Sequence, residues 1–322
     1  MRLSHLIAAL PHDPLPPGMD PEITGVQQDS RRIQPGMAFV AVSGGSADGH
    51  AFIPAAVKAG AAAVIGEHDL PPGIPGVQVA DSRRALGLAA AAWHGNPSRR
   101  LVLIGVTGTD GKTTTVHLIF RILRKAGLRA GMIGTVGAVI GGRELDTGFH
   151  VTTPDAPALQ EYLAQMVAAG LTHCVVEVTS HGLAQQRTAG CDFDIAALTN
   201  ITHEHLDYHG TFETYRAVKA GLFTGLGAAP RKKGSPAPLA VLNADDPSFD
   251  YLRGQATART LTYGRNHPAD FSARDVRVSA AGLQMTIETA EGVSPLRSPL
   301  RGEYDVDNIL AAAAVCIGGL GI

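Results

Sequence analysis

The sequence predicts an α/β protein: a small N-terminal α/β domain followed by a P-loop-type central domain with a mostly parallel sheet flanked by helices. Three observations carry this. From Leu101 onward, short β-branched runs alternate with segments of helical spacing, the signature of parallel βα units. The apolar run 102–106 breaks into a glycine-bearing turn, and Lys112-Thr113 then opens a helix. The 322 residues exceed one domain's usual share of ~150, so about two domains are expected.

Composition narrows the class. With 45% hydrophobic and 17% charged residues the chain can bury a core, and 38 glycines with few aromatics suit a loop-rich α/β protein. A formal net charge of −2 supplies no basic field, so nucleic acid is not the expected partner. Cys174, Cys191 and Cys316 form no CxxC pair and read as free thiols in a reducing cytoplasm. The first ten residues are too short and interrupted for a signal peptide, and no apolar stretch is long enough to span a bilayer. A soluble, cytoplasmic protein is the expectation.

In order along the chain, residues 11–21 are proline-rich and irregular. Strand 37–42 is broken by Ser43-Gly44-Gly45; a helix through Phe52 and Ala59, strands 62–65 and 77–79, and an alanine-rich helix 82–93 complete a small α/β unit. Asn96-Pro97-Ser98 reads as its exit, which places the domains at 1–98 and 99–322. Then come strand 101–106, the helix after Lys112, a strand 132–137 and a hairpin through Gly141-Gly142. Residues 151–155 cap a helix to about Ala169, and strands 174–179, 195–200 and 239–242 follow. Thr211 is a candidate N-cap for a helix to Leu226. Strands near 259–263 and 283–287 and a helix from about Val306 close the chain, and Arg231-Lys232-Lys233 is a short basic loop.

Four segments place polar residues after strands: 108–113, 177–181, 200–209 and 243–246. Doubly wound sheets bind ligands at such strand ends. The loop with Gly108, Thr109, Gly111, Lys112, Thr113 and Thr114 is laid out to wrap backbone N–H groups and a helix N-terminus around phosphates. Lys112 can reach the terminal phosphates, and the Thr113 hydroxyl can ligate Mg²⁺. Only the core of that motif matches, since strict spacing puts its first glycine at Val106. The ordinary alternative is a glycine-rich βα turn. Glu177 interrupts an apolar strand; it is either a paired structural acid or a carboxylate serving Mg²⁺. His203, His205 and His209 fit a solvated loop or, by the His-x-His spacing, zinc; no cysteine supports zinc, and Mg²⁺ with ATP is the simpler expectation.

Several motifs in order then resemble the Mur ligases, and within them the type that adds the third amino acid to UDP-N-acetylmuramoyl-L-alanyl-D-glutamate. They are GVTGTDGKTTT at 105–115, EVTSHGL at 177–183, LTNITHEHLDYHG at 198–210 and YRAVK at 215–219. DSRRIQPG at 29–36, GNPS at 95–98 and TTPD at 152–155 fit the family's N-terminal domain, linker and substrate loop. The resemblance covers nearly the whole chain.

The resemblance implies an ATP-dependent amide-bond ligase of peptidoglycan precursor synthesis. A carboxylate is phosphorylated by ATP, and the amine of a diamino acid displaces phosphate. Lys112, Glu177, His205 and Lys219 would be catalytic. Thr113 and Glu177 would hold one Mg²⁺, and His205 a second together with Lys219 as a carbamate. Ser30 and His50 would lie near the UDP part, and Thr152, Thr153, Ser180 and Arg187 would bind the muramoyl-dipeptide. Asn308 would lie near adenine, although Tyr304 and Asp305 in GEYDVDN (302–308) depart from the family's pattern. Asp110 stands where many members have Asn.

Family members also carry a C-terminal, amino-acid-binding domain, and the motif that selects the amino acid is missing here. The chain alone is therefore expected to bind substrate but turn over poorly, with a separate chain as one way to supply that domain. The alternatives are a non-catalytic nucleotide- or UDP-substrate-binding fragment or subunit, and a folylpolyglutamate synthetase-like ligase. The UDP-type N-terminal domain and the Ser-His-Gly-Leu motif speak against the latter.

Overall fold

The computed structural model describes residues 1–12, 14–44, 47–146 and 152–322, so Gly45 and Val151 lie outside the described residues. The chain divides into two compact units. One comprises Met1–Ser98, Pro154–Ala164 and Gln185–Cys191; the other comprises Arg99–Thr153, Gln165–Ala184 and Asp192–Ile322. The first unit thus recruits two segments from beyond residue 98.

In the first unit, β1 (Val26–Gln27), β2 (Ala38–Val40), β3 (Ala63–Gly66) and β4 (Gly76–Gln78) form a parallel sheet in that order. Side chains alternate across it, as a two-residue period requires. Ala38, Val40, Ala63 and Ile65 face a cluster with Leu3 and Leu6 of α1 (Leu3–Leu6) and Ala85, Leu86 and Ala89 of α3 (Ser82–Trp93). Phe39, Ala41 and Val64 face Ile53 and Ala56 of α2 (Ile53–Lys58). Helix α3 has the expected bounds because Asp81 caps it, accepting from the Arg84 N–H. Later chain packs onto it: a Cβ on Gly87 would meet the Ala189 Cβ at 2.6 Å.

The second unit is built on an eleven-stranded sheet. Its strands are β5 (Val102–Thr107), β6 (Ala130–Gly134), β7 (Gly137–Ile140), β8 (Arg143–Leu145), β9 (His173–Glu177), β10 (Ile195–Leu198), β11 (Leu239–Asn243), β12 (Arg259–Gly264), β13 (Phe271–Ser279), β14 (Gly282–Thr289) and β15 (Gly292–Ser298). Their order is β15-β14-β13-β12-β11-β10-β5-β9-β6-β7-β8, parallel from β13 through β6 and antiparallel at both ends. The central strands are buried almost throughout, the pattern of a parallel sheet covered on both faces.

Helices α4 (Lys112–Lys125) and α10 (Asp305–Ala313) pack one face through Val116, Ile119, Leu123, Val306, Ile309 and Leu310. Helix α5 (Ala156–Ala168) spans both groupings of residues, and α6 (Ser180–Ala184), α7 (Leu206–His209), α8 (Phe212–Thr224) and α9 (Phe249–Gln255) complete the second unit's set. Thr211 caps α8, accepting from the Thr214 N–H at 3.1 Å.

Two expectations need correction. The run 132–137 is not one strand: the chain turns at Thr135 and Val136, between Gly134 and Gly137, so that β7 pairs back on β6. The region after 259 holds four strands rather than two, because β13 and β15 carry mostly polar, exposed residues that give no apolar run to read.

Candidate active site

Chain order reverses at β5. The neighbours of β5 are β9 on one side and β10 on the other, both later in the chain, so the loops after these three strands lie at a topological switch point. The loop after β5 is possible only with glycine at two places. Gly108 has φ +151°, where a Cβ would collide with the Thr199 hydroxyl; Gly111 has φ +77°, where a Cβ would strike the Asn308 amide oxygen.

Neighbouring loops hold this turn. The Thr109 N–H donates to the Asn200 carbonyl at 2.8 Å and the Asp110 N–H to Asn200 Oδ1 at 3.0 Å. The Thr199 hydroxyl donates to the Asp110 carbonyl at 2.6 Å. The loop after β10 is anchored in turn by Asp246, whose Oδ2 accepts the Ile201 N–H at 2.6 Å, and by Asn243, which donates to the Thr199 carbonyl at 2.9 Å. Burial pushes the Asp246 carboxyl up, against these hydrogen bonds.

The predicted residues of this unit lie around that turn. Lys112 Nζ donates to the Thr109 carbonyl at 2.6 Å, and Lys219, 1% exposed, donates to the adjacent Gly108 carbonyl at 2.6 Å. Burial and the Lys112 charge push the Lys219 amine down to about 7. Lys219 also lies over the Tyr215 ring, 4.7 Å from its centre, and the Tyr215 hydroxyl meets Thr109 Oγ1 at 3.0 Å. Thr113 donates its hydroxyl proton to Glu177 Oε1 at 2.9 Å, which leaves its lone pairs for a cation. Glu177 is 2% exposed, and its Oε2 accepts from both the N–H and the hydroxyl of Thr135, each at 3.1 Å. Thr114 is half-buried in the first turn of α4. Asn308 accepts from the Thr115 hydroxyl at 3.3 Å, which ties α10 to the helix after the loop. Asp110 points an exposed side chain outward while its backbone is held.

His205 caps α7 in the left-handed region (φ +53°) and is exposed, with Nε2 3.6 Å from the Glu204 carboxylate. Its ring centre lies 4.7 Å from that of His181, which also meets Tyr208 at 4.3 Å and His209 at 5.6 Å. His209 is 8% exposed, packs on Tyr215, and its Nε2 has no hydrogen-bond partner among the described residues. Buried groups of that kind call for an explanation such as a bound ion or a catalytic role.

Of the predicted substrate residues, Thr152 is half-buried and its hydroxyl meets Thr135 Oγ1 at 3.0 Å. Thr153 is fully buried; its hydroxyl donates to the Glu177 carbonyl at 2.9 Å and accepts the Thr179 N–H at 3.0 Å. Ser180 is 2% exposed and starts α6. In the first unit, Ser30 opens a helical turn capped by Asp29, whose carboxyl the Arg31 guanidinium holds down at about 2. His50 is buried, with Nδ1 2.7 Å from Asp48 Oδ1 and Nε2 accepting the Glu67 N–H at 2.8 Å. Asp48, His50 and His68 bring ligand-type atoms within 4.8 Å of one another, but both His50 nitrogens are already engaged. Arg187 donates twice to Gln185 Oε1, at 3.1 and 2.7 Å. Sequence reasoning gave Thr135 no role, since 132–137 reads as strand, and reached Asp246 only as part of the polar segment 243–246.

A glycine-bearing loop at a switch point, two inward lysines and a strand-end carboxylate together have the layout of a P-loop-type site. The chain belongs to the Mur ligase family: the Mur ligase middle domain matches residues 106–316, and the Mur ligase family catalytic domain matches 22–94. It is 42% identical over 317 residues to the UDP-N-acetylmuramoyl-L-alanyl-D-glutamate–2,6-diaminopimelate ligase of Geobacillus thermodenitrificans, covering 98% of this chain and 64% of that protein. The protein of the same name from Geobacillus kaustophilus is 43% identical, with the same coverage. A solved structure of a ligase of that name superposes with a TM-score of 0.79 at 32% identity, over 91% of this chain and 59% of that one. The chain thus spans about 64% of the length of these curated relatives. Among the described residues, no helix is long and apolar enough to cross a membrane.

Proposed function

We propose that this chain forms the nucleotide- and UDP-sugar-binding part of a cytoplasmic, ATP-dependent ligase. The ligase joins a diamino acid to UDP-N-acetylmuramoyl-L-alanyl-D-glutamate. The observation that carries the reading is the pairing of Thr113 with Glu177 beside Lys112, at the mouth of the phosphate loop.

A carboxylate is a poor electrophile, so the substrate's free carboxylate first attacks the γ-phosphorus of ATP and ADP leaves. The amine of the diamino acid then attacks the resulting acyl-phosphate, loses a proton and expels phosphate. Lys112 would move from the Thr109 carbonyl to the phosphates and offset their charge. The donor set fits Mg²⁺: Thr113 has free lone pairs, and Glu177 supplies a hard carboxylate oxygen. Bound there, the metal would neutralise charge on the phosphates.

A second Mg²⁺ would use His205 and Lys219. Burial that pushes the Lys219 amine down to about 7 favours the neutral form, the one that adds CO₂ to become an anionic carbamate ligand. Ser30, His50 and Arg187 would serve the UDP-sugar and its peptide carboxylate, and Thr152, Ser180 and the Thr153 backbone the muramoyl-dipeptide. Gly108, Thr109, Gly111, Thr114 and Asn308 would hold the nucleotide.

Calorimetry tests this directly. The chain is expected to bind ATP with Mg²⁺ and to bind UDP-muramoyl-dipeptide in preference to a folate. Lys112→Ala should abolish the nucleotide signal and leave that of the UDP-sugar. A chain that binds neither overturns the reading.

A further inference from the structure

Thr135 touches both halves of the proposed chemistry. It sits in the turn between β6 and β7, its N–H and hydroxyl both reach Glu177 Oε2, and its oxygen meets the Thr152 hydroxyl. The turn is shaped for this contact: a Cβ on Gly134 would come within 2.8 Å of Glu177 Oε2 and make the carboxylate shift.

Proton counting then orders the chain of hydroxyls. Each threonine has one hydroxyl proton. Thr135 gives its proton to Glu177, so the 3.0 Å contact with Thr152 needs the proton of Thr152. Thr152 is left with lone pairs and nothing to donate. A ligand group meeting it must therefore be a donor, such as a peptide N–H, and not a carboxylate or phosphate oxygen.

We propose that Thr135 is a positioning residue that sets the Glu177 carboxylate for the metal and makes Thr152 present an acceptor to a peptide N–H of the substrate. The proposal rests on the roles given above to Glu177 and Thr152. One side chain thereby links the nucleotide side of the site to the substrate side.

The test compares wild type with Thr135→Val, Thr135→Ser, Thr152→Val and Glu177→Gln. Mn²⁺ affinity is read by electron paramagnetic resonance with ATP present, UDP-muramoyl-dipeptide affinity by calorimetry, and folding by thermal melting. Thr135→Val should weaken both affinities, that for Mn²⁺ by about ten-fold, the usual cost of losing an outer partner of a metal ligand. Thr135→Ser should keep both within about two-fold, as one restored hydrogen bond implies. Thr152→Val should weaken only the UDP-sugar. Dipeptide analogues N-methylated at each amide in turn should include one whose loss in wild type vanishes in Thr152→Val.

Thr135 is exposed, so unfolding is not expected; if the valine variant melts early, Thr135→Ala replaces it. Affinities lost in Glu177→Gln but retained in Thr135→Val overturn the Thr135 assignment and leave the function standing. So does an effect on one affinity alone, or an analogue series without that dependence. Wild type that binds neither Mn²⁺-ATP nor the UDP-sugar overturns both.

Discussion

At the scale of single residues, the second unit carries buried polar groups whose costs can be measured. Asp307 stands in the first turn of α10 with Oδ1 buried and no hydrogen-bond partner among the described residues; burial pushes its carboxyl up to about 6. Its folded value lies above the unfolded one, so its stabilising contribution is complete below the ordinary 3.8 and is lost as pH rises through about 6. Asp307→Asn should therefore stabilise the chain above about pH 7, with the gain gone by about pH 4, in urea titrations at several pH values. Lys232, read from the sequence as part of a short basic loop, turns inward. Its side chain is 6% exposed and lies 2.6 Å from Asp194 Oδ2, which also accepts the Leu103 N–H at 2.7 Å. Lys232→Met strands that carboxylate and should cost about 3 kcal/mol by denaturant unfolding, whereas Asp194→Asn with Lys232→Met should cost less. Nothing local to the basic triplet separates Lys232 from its neighbours; its partner lies 38 positions away.

At the scale of elements, the site depends on how each helix begins. Helix α4 starts directly at the glycine-bearing loop after β5, on Gly111 in the left-handed conformation. Gly111→Ala meets both backbone strain and the Asn308 side chain, so nucleotide affinity and melting temperature should fall together, the strain alone costing about 1–2 kcal/mol. Helix α8 carries Lys219 and is capped by Thr211. Thr211→Ala should lower stability by about 1 kcal/mol in chemical denaturation. Both starts were legible in the sequence, since capping residues and glycine turns act over three or four positions. The turn at Thr135 was not, because the β-branched Thr135 and Val136 read as strand, and only the return pairing of β7 on β6 breaks the run.

At the scale of the molecule, the first unit is completed by chain from later in the sequence. Helix α3 of the first unit is covered by Ala189 and Gly190, and Ser98 donates to the Gly190 carbonyl at 3.2 Å. A fragment of residues 1–98 should therefore melt below the same residues within the whole chain and bind a hydrophobic dye, as calorimetry and fluorescence would show. The sequence places a boundary at 98 because Asn-Pro-Ser breaks the pattern there, but it offers no sign that 154–164 and 185–191 return.

What the sequence determined by itself was whatever depends on near neighbours: the class of fold, the glycine-bearing turn after β5, the cap of α8, and strands apolar enough to be central. Tertiary structure alone decided that Lys219 is buried against a carbonyl 111 positions away and that Asp246 steadies the loop after β10. It also decided that one hydroxyl chain joins Thr152, Thr135 and Glu177. Burial, proton sharing and pKa depend on which atoms end up within a few ångströms. That is set by the crossovers of the parallel sheet, and no local pattern encodes it.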